Sequence, residues 1–334
     1  MDSSYCGDSL MGVSIAIIPV QIAVVCARFW TRHLQQITST IDDYLIIPAL
    51  VGSLGQSALF IVLLKVAGLG YHFLYIQQEA PEKLIALQKG LFASQILNYP
   101  FIVTPAEISI LLFYNRIFST FGWKFRSLSY AIGFIVLGTG IGVFFAAIFQ
   151  CSPLQHAWDK SIKGSCFNQQ QFFRFVSLPN ILTDLVILVM PFPFVWKLHT
   201  RLTQKLALTG VFLLGGLGVV ASILRMTIFF QEQILVDPTW VSVNLGIRSV
   251  LESAIIIITA CLPPSWPLVA KFLPQRLTKR KASKKQEQQN AVGDIQLKRT
   301  SNGFSRLGEG SGSETAMWST RDAYKLKDMA ILDS

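Results

Sequence analysis

Five ionisable side chains lie well away from the ends of long apolar stretches of the chain: Glu107, Asp184, Arg225, Arg248 and Glu252. In a membrane such groups are costly, and they usually face the interior of a helix bundle or a water-filled cavity, where they are paired. A helical spacing of four residues places Asn180 on the same face as Asp184, and Arg248 on the same face as Glu252. The residue types therefore predict a buried network that joins opposite charges.

The sequence leaves two interpretations of this network open. It could be a structural clamp that fixes the register of the helices, or it could be a site for a ligand or a proton. In the second interpretation Arg225 is the best candidate to contact an anionic ligand, because an outward-facing cavity would expose it. Both interpretations use the same six polar residues: Glu107, Asn180, Asp184, Arg225, Arg248 and Glu252.

Sequence patterns that are typical of enzymes and metal sites do not occur in the chain. There is no Gly-x-Ser-x-Gly, His-Glu-x-x-His or Walker motif, and the glycines at 215, 216 and 218 lie in an apolar stretch, where they favour helix packing. His72 and His156 lack the ligand spacing of known zinc sites. We therefore expect no catalytic residue, no metal site, no cofactor and no enzymatic activity.

Seven long apolar stretches contain or flank these polar residues: 9–28, 43–66, 91–116, 127–150, 172–196, 206–230 and 242–262. A helix of about 20 apolar residues crosses about 30 Å of hydrocarbon. The runs are continuous and do not alternate, which excludes the strands of a membrane barrel. Only 14% of the residues are charged, against about a quarter in soluble domains. We predict an all-α integral membrane protein, a seven-transmembrane helix bundle in the lipid bilayer of the plasma membrane or an endomembrane.

The net charge of +10 is unevenly distributed along the chain. Lys and Arg are frequent after the first, third and fifth stretches and in the segment 271–334, which contains 13 of them against 7 Asp and Glu. Because positive residues favour the cytoplasmic side, we predict an outside N-terminus and a cytoplasmic C-terminus. We explain the charge by this topology, and expect no nucleic-acid partner.

The composition divides the chain into a membrane domain, 1–270, and a tail, 271–334. The tail has few apolar residues and is expected to be disordered, because it cannot bury enough surface to offset its chain entropy. Its basic opening, from Lys271 to Lys285, directly follows the last apolar stretch. A basic cluster at this position should be attracted to anionic lipids of the cytoplasmic leaflet.

The chain contains five cysteines. In the predicted orientation Cys6, Cys151 and Cys166 face the oxidising side, where disulfides form. Cys151 and Cys166 are close enough in sequence to bridge the loop between the fourth and fifth stretches. Because connectivity cannot be read from sequence, Cys6 is a competing partner.

Short motifs follow one another in a definite order over about residues 10 to 270: DDYLI, GLGYH, SILLFYNRIF, CSPLQHAW with GSC, NILTDLVILVMPFPFVWKL, SILRM and ESAIIIITACLP. Together they resemble the fungal seven-transmembrane rhodopsin-domain family. That family is also named after a membrane protein of a satratoxin biosynthesis cluster, and it overlaps pathogenicity-receptor-like proteins. One departure is Glu107, which stands where the family commonly has a Lys and so reverses a charge within the membrane.

The resemblance implies a receptor-like membrane protein, with an architecture like that of G-protein-coupled receptors, that senses an unknown small-molecule ligand and signals to a cytoplasmic partner. The alternative is a transporter or an accessory membrane protein of a fungal secondary-metabolite biosynthesis cluster. Retinal binding is not expected in spite of the family name, since attachment needs a Lys within the seventh stretch and residues 242–262 contain none.

Overall fold

The computed structural model describes residues 5–118, 123–159, 161–192, 202–230 and 237–272. All of these residues belong to one compact unit, Met1–Phe272. The predicted tail, 271–334, lies outside the described residues except for its first two positions. The predicted lipid contact of its basic opening lies outside them as well.

The described chain is almost entirely helical. In chain order the helices are α1 (Gly7–Leu34), α2 (Ile41–Tyr44), α3 (Ile46–Val66), α4 (Phe73–Glu79), α5 (Pro81–Leu97), α6 (Thr104–Ile117), α7 (Trp123–Ile148), α8 (Gln169–Val189), α9 (Leu202–Phe229) and α10 (Pro238–Phe272). A π-helical segment, Asn98–Val103, joins α5 to α6, and a 3₁₀ turn covers Leu154–Ala157. Two short strands, β1 (Cys151–Ser152) and β2 (Ser165–Cys166), pair antiparallel.

Within the described residues, seven helical segments are long and apolar enough to cross a membrane. We number them span 1 to span 7: Gly7–Leu34, Ile41–Val66, Glu82–Ile117, Trp123–Ile148, Gln170–Val189, Phe212–Phe229 and Thr239–Ser265. The predicted all-α, seven-span membrane architecture is confirmed. The direction in which the bundle crosses the membrane stays a prediction.

Span 3 is longer than the apolar pattern indicates. The expected start was residue 91, whereas the helix begins at Pro81 and the span is 36 residues long. Proline is favourable at the first position of a helix, and the residues after it are mostly good helix formers, so the helix extends beyond the apolar run. Lys83 and Lys89, which precede the apolar stretch 91–116, are therefore helical.

Span 7 occupies the middle of the bundle. It packs along span 1 on one side and span 6 on the other, and it also contacts spans 2 and 3. Ile257 and Ala260 of span 7 are buried in one core cluster with Ile46 of span 2 and Ile110 of span 3. Polar residues of span 7 can therefore meet groups from several helices.

The π-helical segment interrupts span 3 at Pro100. Proline has no N–H to donate to the helix, and it disturbs the regular hydrogen-bond ladder. Such wide turns inside α-helices frequently occur at functional sites. This segment begins at Asn98, whose side chain is buried and contacts the polar network described below.

The loop between spans 4 and 5 is held by a disulfide. Cys151 and Cys166 are bonded, with an S–S distance of 2.00 Å, as predicted. They also face each other across the β1–β2 pair. The competing partner, Cys6, instead donates a weak hydrogen bond to the carbonyl of Gly70, at 3.6 Å. The loop also packs on span 3, since Trp158 contacts the ring of Phe92.

Candidate functional site

An ion pair between spans 6 and 7 forms the centre of the polar network. Nε of Arg225 lies 3.0 Å from Oε2 of Glu252, and their side chains are only 11% and 5% exposed. A guanidinium Nη1–H of Arg225 also donates to Oδ1 of Asn98 in span 3, at 3.3 Å. Because both charges are buried, removal of either partner would leave the other without compensation.

Ser222 links the carboxyl groups of spans 5 and 7. It lies about one helical turn before Arg225 in span 6. Its Oγ is 2.8 Å from Oε1 of Glu252 and 2.9 Å from Oδ2 of Asp184. The side-chain amide of Asn180 donates to the same Asp184 oxygen at 3.4 Å, which is a long contact. Four spans therefore contribute polar groups to one connected cluster.

Glu107 joins this cluster from span 3 at the wall of a cavity. The cavity has a volume of about 50 Å³ and is lined by Glu107, Asp184, Ser222 and Glu252 together with apolar side chains. Glu107 is 1% exposed, and its Oε1 has no hydrogen-bond partner. Its carboxyl group faces the same cavity as that of Asp184. The space can hold a few water molecules, but it is well below the roughly 300 Å³ of typical small-molecule pockets.

Five of the six candidate residues meet in this network, and Arg248 does not. Arg248 lies nearer the start of span 7, where its guanidinium donates to the backbone carbonyl of Leu224 and, at 3.0 Å, to Oγ1 of Thr227. The possible pairing of Arg248 with Glu252 along their helix is therefore not what the structure shows. Arg225, on the adjacent helix, contacts Glu252 instead, while Arg248 serves to join spans 6 and 7 near one end.

A second buried cluster, which we call the arginine–aspartate quartet, consists of Arg28, Arg32, Asp42 and Asp43. Nε of Arg28 lies 2.8 Å from Oδ1 of Asp43, and its Nη2 lies 3.0 Å from Oδ2 of Asp42. Its Nη1 donates to the backbone carbonyl of Ala260 at 2.6 Å. Arg32 approaches the same two carboxylates at 3.3 and 3.2 Å. The quartet thus connects spans 1, 2 and 7.

Sequence reasoning missed this quartet because it assigned each half a separate role. From sequence, Arg28 and Arg32 belong to the basic residues at and after the end of the first apolar stretch, and Asp42 and Asp43 are typical of a helix N-terminus, where the dipole favours negative charge. Asp43 also stabilises the N-terminus of its helix, since its Oδ2 accepts a hydrogen bond from the backbone N–H of Thr40 at 3.1 Å. The sequence did contain a signal for the quartet: two arginines four residues apart are followed, after a short turn, by two adjacent aspartates.

At the end of the bundle where span 7 begins, Asp237 connects two loops. Its carboxylate contacts Nδ1 of His72 and accepts hydrogen bonds from the backbone N–H of Phe73, at 3.1 Å, and from Oγ1 of Thr239, at 2.9 Å. Burial raises the pKa of Asp237, but these hydrogen bonds outweigh it and hold the pKa below its ordinary value. The His72 ring stacks on Trp240 with 4.4 Å between centroids.

Among the residues that the structure describes, no group of three or more His, Cys, Asp or Glu side chains is arranged to hold a metal ion. Although three carboxyl groups meet in the polar network, two of them are linked through Ser222, and the third, Glu107, lines the same cavity. Hydrogen bonds and one ion pair therefore hold this network together.

Comparison with known proteins relates the chain to fungal membrane proteins. The family model of the fungal rhodopsin domain matches residues 27–271. The polyenoic acids biosynthesis gene cluster protein Ba17b of Metarhizium anisopliae is 31% identical over 279 residues, which cover 80% of this chain and 75% of that protein. No solved structure matches the chain.

Two further relatives match over a shorter region. A SAT4 family membrane protein of Emericella nidulans is 33% identical over 163 residues, or 48% of this chain and 42% of that protein. Receptor GIN3 of Arthrobotrys oligospora is 26% identical over 183 residues, or 54% of this chain and 44% of that receptor. The family match covers most of the seven-span bundle, and the chain therefore belongs to the fungal rhodopsin domain family of membrane proteins.

Proposed function

We propose that this protein is a receptor-like membrane protein that senses an anionic small molecule and signals to a cytoplasmic partner, without catalysing a reaction. The observation that supports this most directly is the Arg225–Glu252 pair beside the cavity between spans 3, 5, 6 and 7. An anionic ligand could replace Glu252 as the partner of the guanidinium. The cavity is small, so binding would require these spans to separate.

Span 7 is the element that would transmit such a change. It carries Glu252 at the polar network and Ala260 at the arginine–aspartate quartet, where the Ala260 carbonyl accepts a hydrogen bond from Arg28. The two positions are eight residues apart, which is about 12 Å along a helix. A movement of Glu252 would therefore displace Ala260 and the quartet, at the end of the bundle that we predict to be cytoplasmic. In this proposal the two polar clusters are the sensing end and the signalling end of one rigid helix.

Two considerations suggest a carboxylic acid as the first ligand class to test. A guanidinium pairs with a carboxylate through short, charge-assisted hydrogen bonds. The relative that aligns with 80% of this chain is named for a gene cluster that makes polyenoic acids. We therefore propose small unsaturated carboxylic acids as the ligand class to test with this chain.

The direct test is a thermal-stability assay on purified full-length protein, with sorbic acid as the probe and its uncharged methyl ester as the control. A ligand that binds only the folded state stabilises it by about 2.7 kcal/mol at 100 times its Kd. We expect the acid, and not the ester, to raise the melting temperature of the wild type. The double variant Arg225→Gln with Glu252→Gln, which keeps the network neutral, should lose this response.

The matched control is Arg126→Gln, which changes an exposed arginine on α7. This variant should respond to the acid like the wild type. If the acid and the ester act alike, or if the double variant keeps the full response, Arg225 is not the anion contact and the proposed ligand class is wrong.

The second candidate function is a transporter or an accessory membrane protein of a secondary-metabolite pathway. It is supported by the names of four relatives that belong to biosynthesis clusters, among them the protein from Metarhizium anisopliae. Uptake of labelled sorbic acid into proteoliposomes that contain this protein would favour transport. Binding without uptake, together with co-purification of a Gα subunit, would favour the receptor.

A further inference from the structure

Ser222 has more short oxygen contacts than its single hydrogen can satisfy. A hydroxyl group supplies one hydrogen and two acceptor lone pairs. Its Oγ lies 2.8 Å from Oε1 of Glu252, 2.9 Å from Oδ2 of Asp184 and 3.2 Å from the backbone carbonyl oxygen of Gly218. The two carboxyl distances are within the usual range of O–H···O hydrogen bonds, whereas the contact with Gly218 is longer, and each of the two carboxyl contacts needs a hydrogen. Ser222 can provide only one of the two, and the other must belong to a carboxyl group.

The distribution of charge decides which carboxyl group carries that hydrogen. Glu252 faces Arg225 at 3.0 Å and is the carboxylate whose negative charge is compensated. Asp184, in contrast, is surrounded by the Ser222 hydroxyl, the Asn180 amide and the carboxyl group of Glu107. The consistent arrangement is that Asp184 donates to Ser222, and Ser222 donates to Glu252.

Glu107 provides a second, independent indication of bound protons. It lines the same cavity as Asp184, and two neighbouring carboxyl groups can form a hydrogen bond only if one of them is protonated. Its Oε1 has no partner and faces the cavity at 1% exposure. An isolated carboxylate in such surroundings would be far more costly than the neutral acid.

The groups that face this cluster come from all the spans around it. Span 3 contributes Glu107 and the phenols of Tyr99 and Tyr114, span 5 contributes Asp184, span 6 contributes Arg225, and span 7 contributes Glu252. Within the described residues, Arg225 is the cation that these three carboxyl groups share, because Arg248 is turned toward the carbonyl of Leu224. Three carboxylates against one guanidinium would leave two uncompensated negative charges in the membrane interior.

We propose that this cluster is an intramembrane proton-binding site, in which Asp184, Ser222 and Glu252 form a continuous path for one proton. Asp184 gives its hydrogen to Oγ of Ser222 while Ser222 passes its own hydrogen to Oε1 of Glu252. Asp184 becomes a carboxylate, Glu252 becomes a neutral acid, and Ser222 is unchanged. The transfer turns the Arg225–Glu252 ion pair into a contact with a neutral acid, so that the guanidinium becomes available to an anion.

Infrared spectroscopy of the full-length protein in lipid nanodiscs at neutral pH tests this proposal without any ligand. A protonated carboxyl group has a C=O band that is separate from the carboxylate bands and shifts in D₂O. We expect this band in the wild type, and a weaker band in Asp184→Asn and in Glu107→Gln. Asp159→Asn, which changes a partly exposed loop carboxylate outside the spans, is the matched control and should leave the band unchanged. Absence of the band in the wild type, or equal bands in all variants, would overturn the proposal.

Two further variants keep the test decisive if one of the proteins folds poorly. Ser222→Ala should retain the band at a shifted frequency, because the Asp184 acid loses its acceptor; an unchanged frequency would contradict the path. Asn resembles a protonated Asp, so Asp184→Asn should melt close to the wild type, whereas Glu252→Gln should melt well below it. The reverse order of melting would place the proton on Glu252 and refute the assignment. Because no ligand is used, failure of the sorbic acid test leaves this result unaffected.

Discussion

The arginine–aspartate quartet leads to a specific prediction for Arg28→Met, a change that keeps most of the side-chain volume and removes the charge. The Arg28 side chain is fully buried and contacts Asp43 at 2.8 Å, Asp42 at 3.0 Å and the Ala260 carbonyl at 2.6 Å. The wild-type quartet has two positive and two negative charges. The variant leaves two buried carboxylates with Arg32 alone, at 3.2 to 3.3 Å, and so leaves one negative charge without compensation.

The expected cost is large because the partners cannot regain water. Removal of one member of a buried ion pair typically destabilises a protein by about 3–5 kcal/mol, since the remaining charge stays buried. Loss of the hydrogen bond to Ala260 adds to this, because a hydrogen bond from a charged group contributes about 1.5–3 kcal/mol. We therefore expect Arg28→Met to lower the free energy of unfolding by at least about 3 kcal/mol.

The measurement is equilibrium unfolding of the purified protein in mixed micelles, with Arg126→Met as the matched control on an exposed position of α7. The control should stay within about 0.5 kcal/mol of the wild type, as surface substitutions usually do. The double variant Arg28→Met with Asp43→Asn restores the charge balance, and should be more stable than the sum of the two single losses predicts. If Arg28→Met costs no more than the control, or if the two losses simply add, the quartet does not act as a buried charge-balanced unit.

Three further predictions concern the loop disulfide, Asp237 and the topology. Replacing Cys151 and Cys166 by Ser opens a loop of sequence separation 15, so we expect a loss of up to about 3 kcal/mol by chain entropy, visible as a melting difference that reductant abolishes. Asp237→Asn should destabilise the protein at neutral pH. Because the pKa of Asp237 is held below its ordinary value in the folded state, its contribution is complete above about pH 4 and is lost as the pH falls through the depressed pKa, so wild type and variant should converge in acid; a constant difference down to the most acidic pH would refute this role. A glycosylation sequon inserted before residue 5 should be modified in a eukaryotic expression host, and one inserted after Lys285 should not, if the N-terminus is outside; the opposite pattern would invert the predicted topology.

The secondary structure could be predicted because the membrane restricts it so strongly. In hydrocarbon a continuous apolar run has to satisfy its own backbone hydrogen bonds, so length and hydropathy alone indicate the helices. The start of span 3 was missed because helix propensity carries the helix beyond the apolar run. A proline such as Pro100 disturbs the hydrogen-bond ladder of a helix, but only the structure shows that the irregularity is a π-helical segment beginning at Asn98.

The candidate site could be predicted only in part. The cost of charges in the membrane identified Glu107, Asp184, Arg225 and Glu252 from their positions alone. Spacing along one helix also suggested Arg248 as a partner of Glu252. The structure turns Arg248 toward span 6, because contact across helices depends on their rotation and separation, which no local pattern records.

By itself, the sequence determined that the chain lies in a membrane, how many spans it has and that these spans contain charged groups, since these properties depend on local composition. Only the tertiary structure decided which charges meet. It shows that Arg28 reaches a carbonyl 232 positions further along the chain, that Arg225 faces Glu252, and that Ser222 stands between two carboxyl groups. These contacts depend on how the seven similar helices pack against one another, and that arrangement follows from the packing of their whole surfaces.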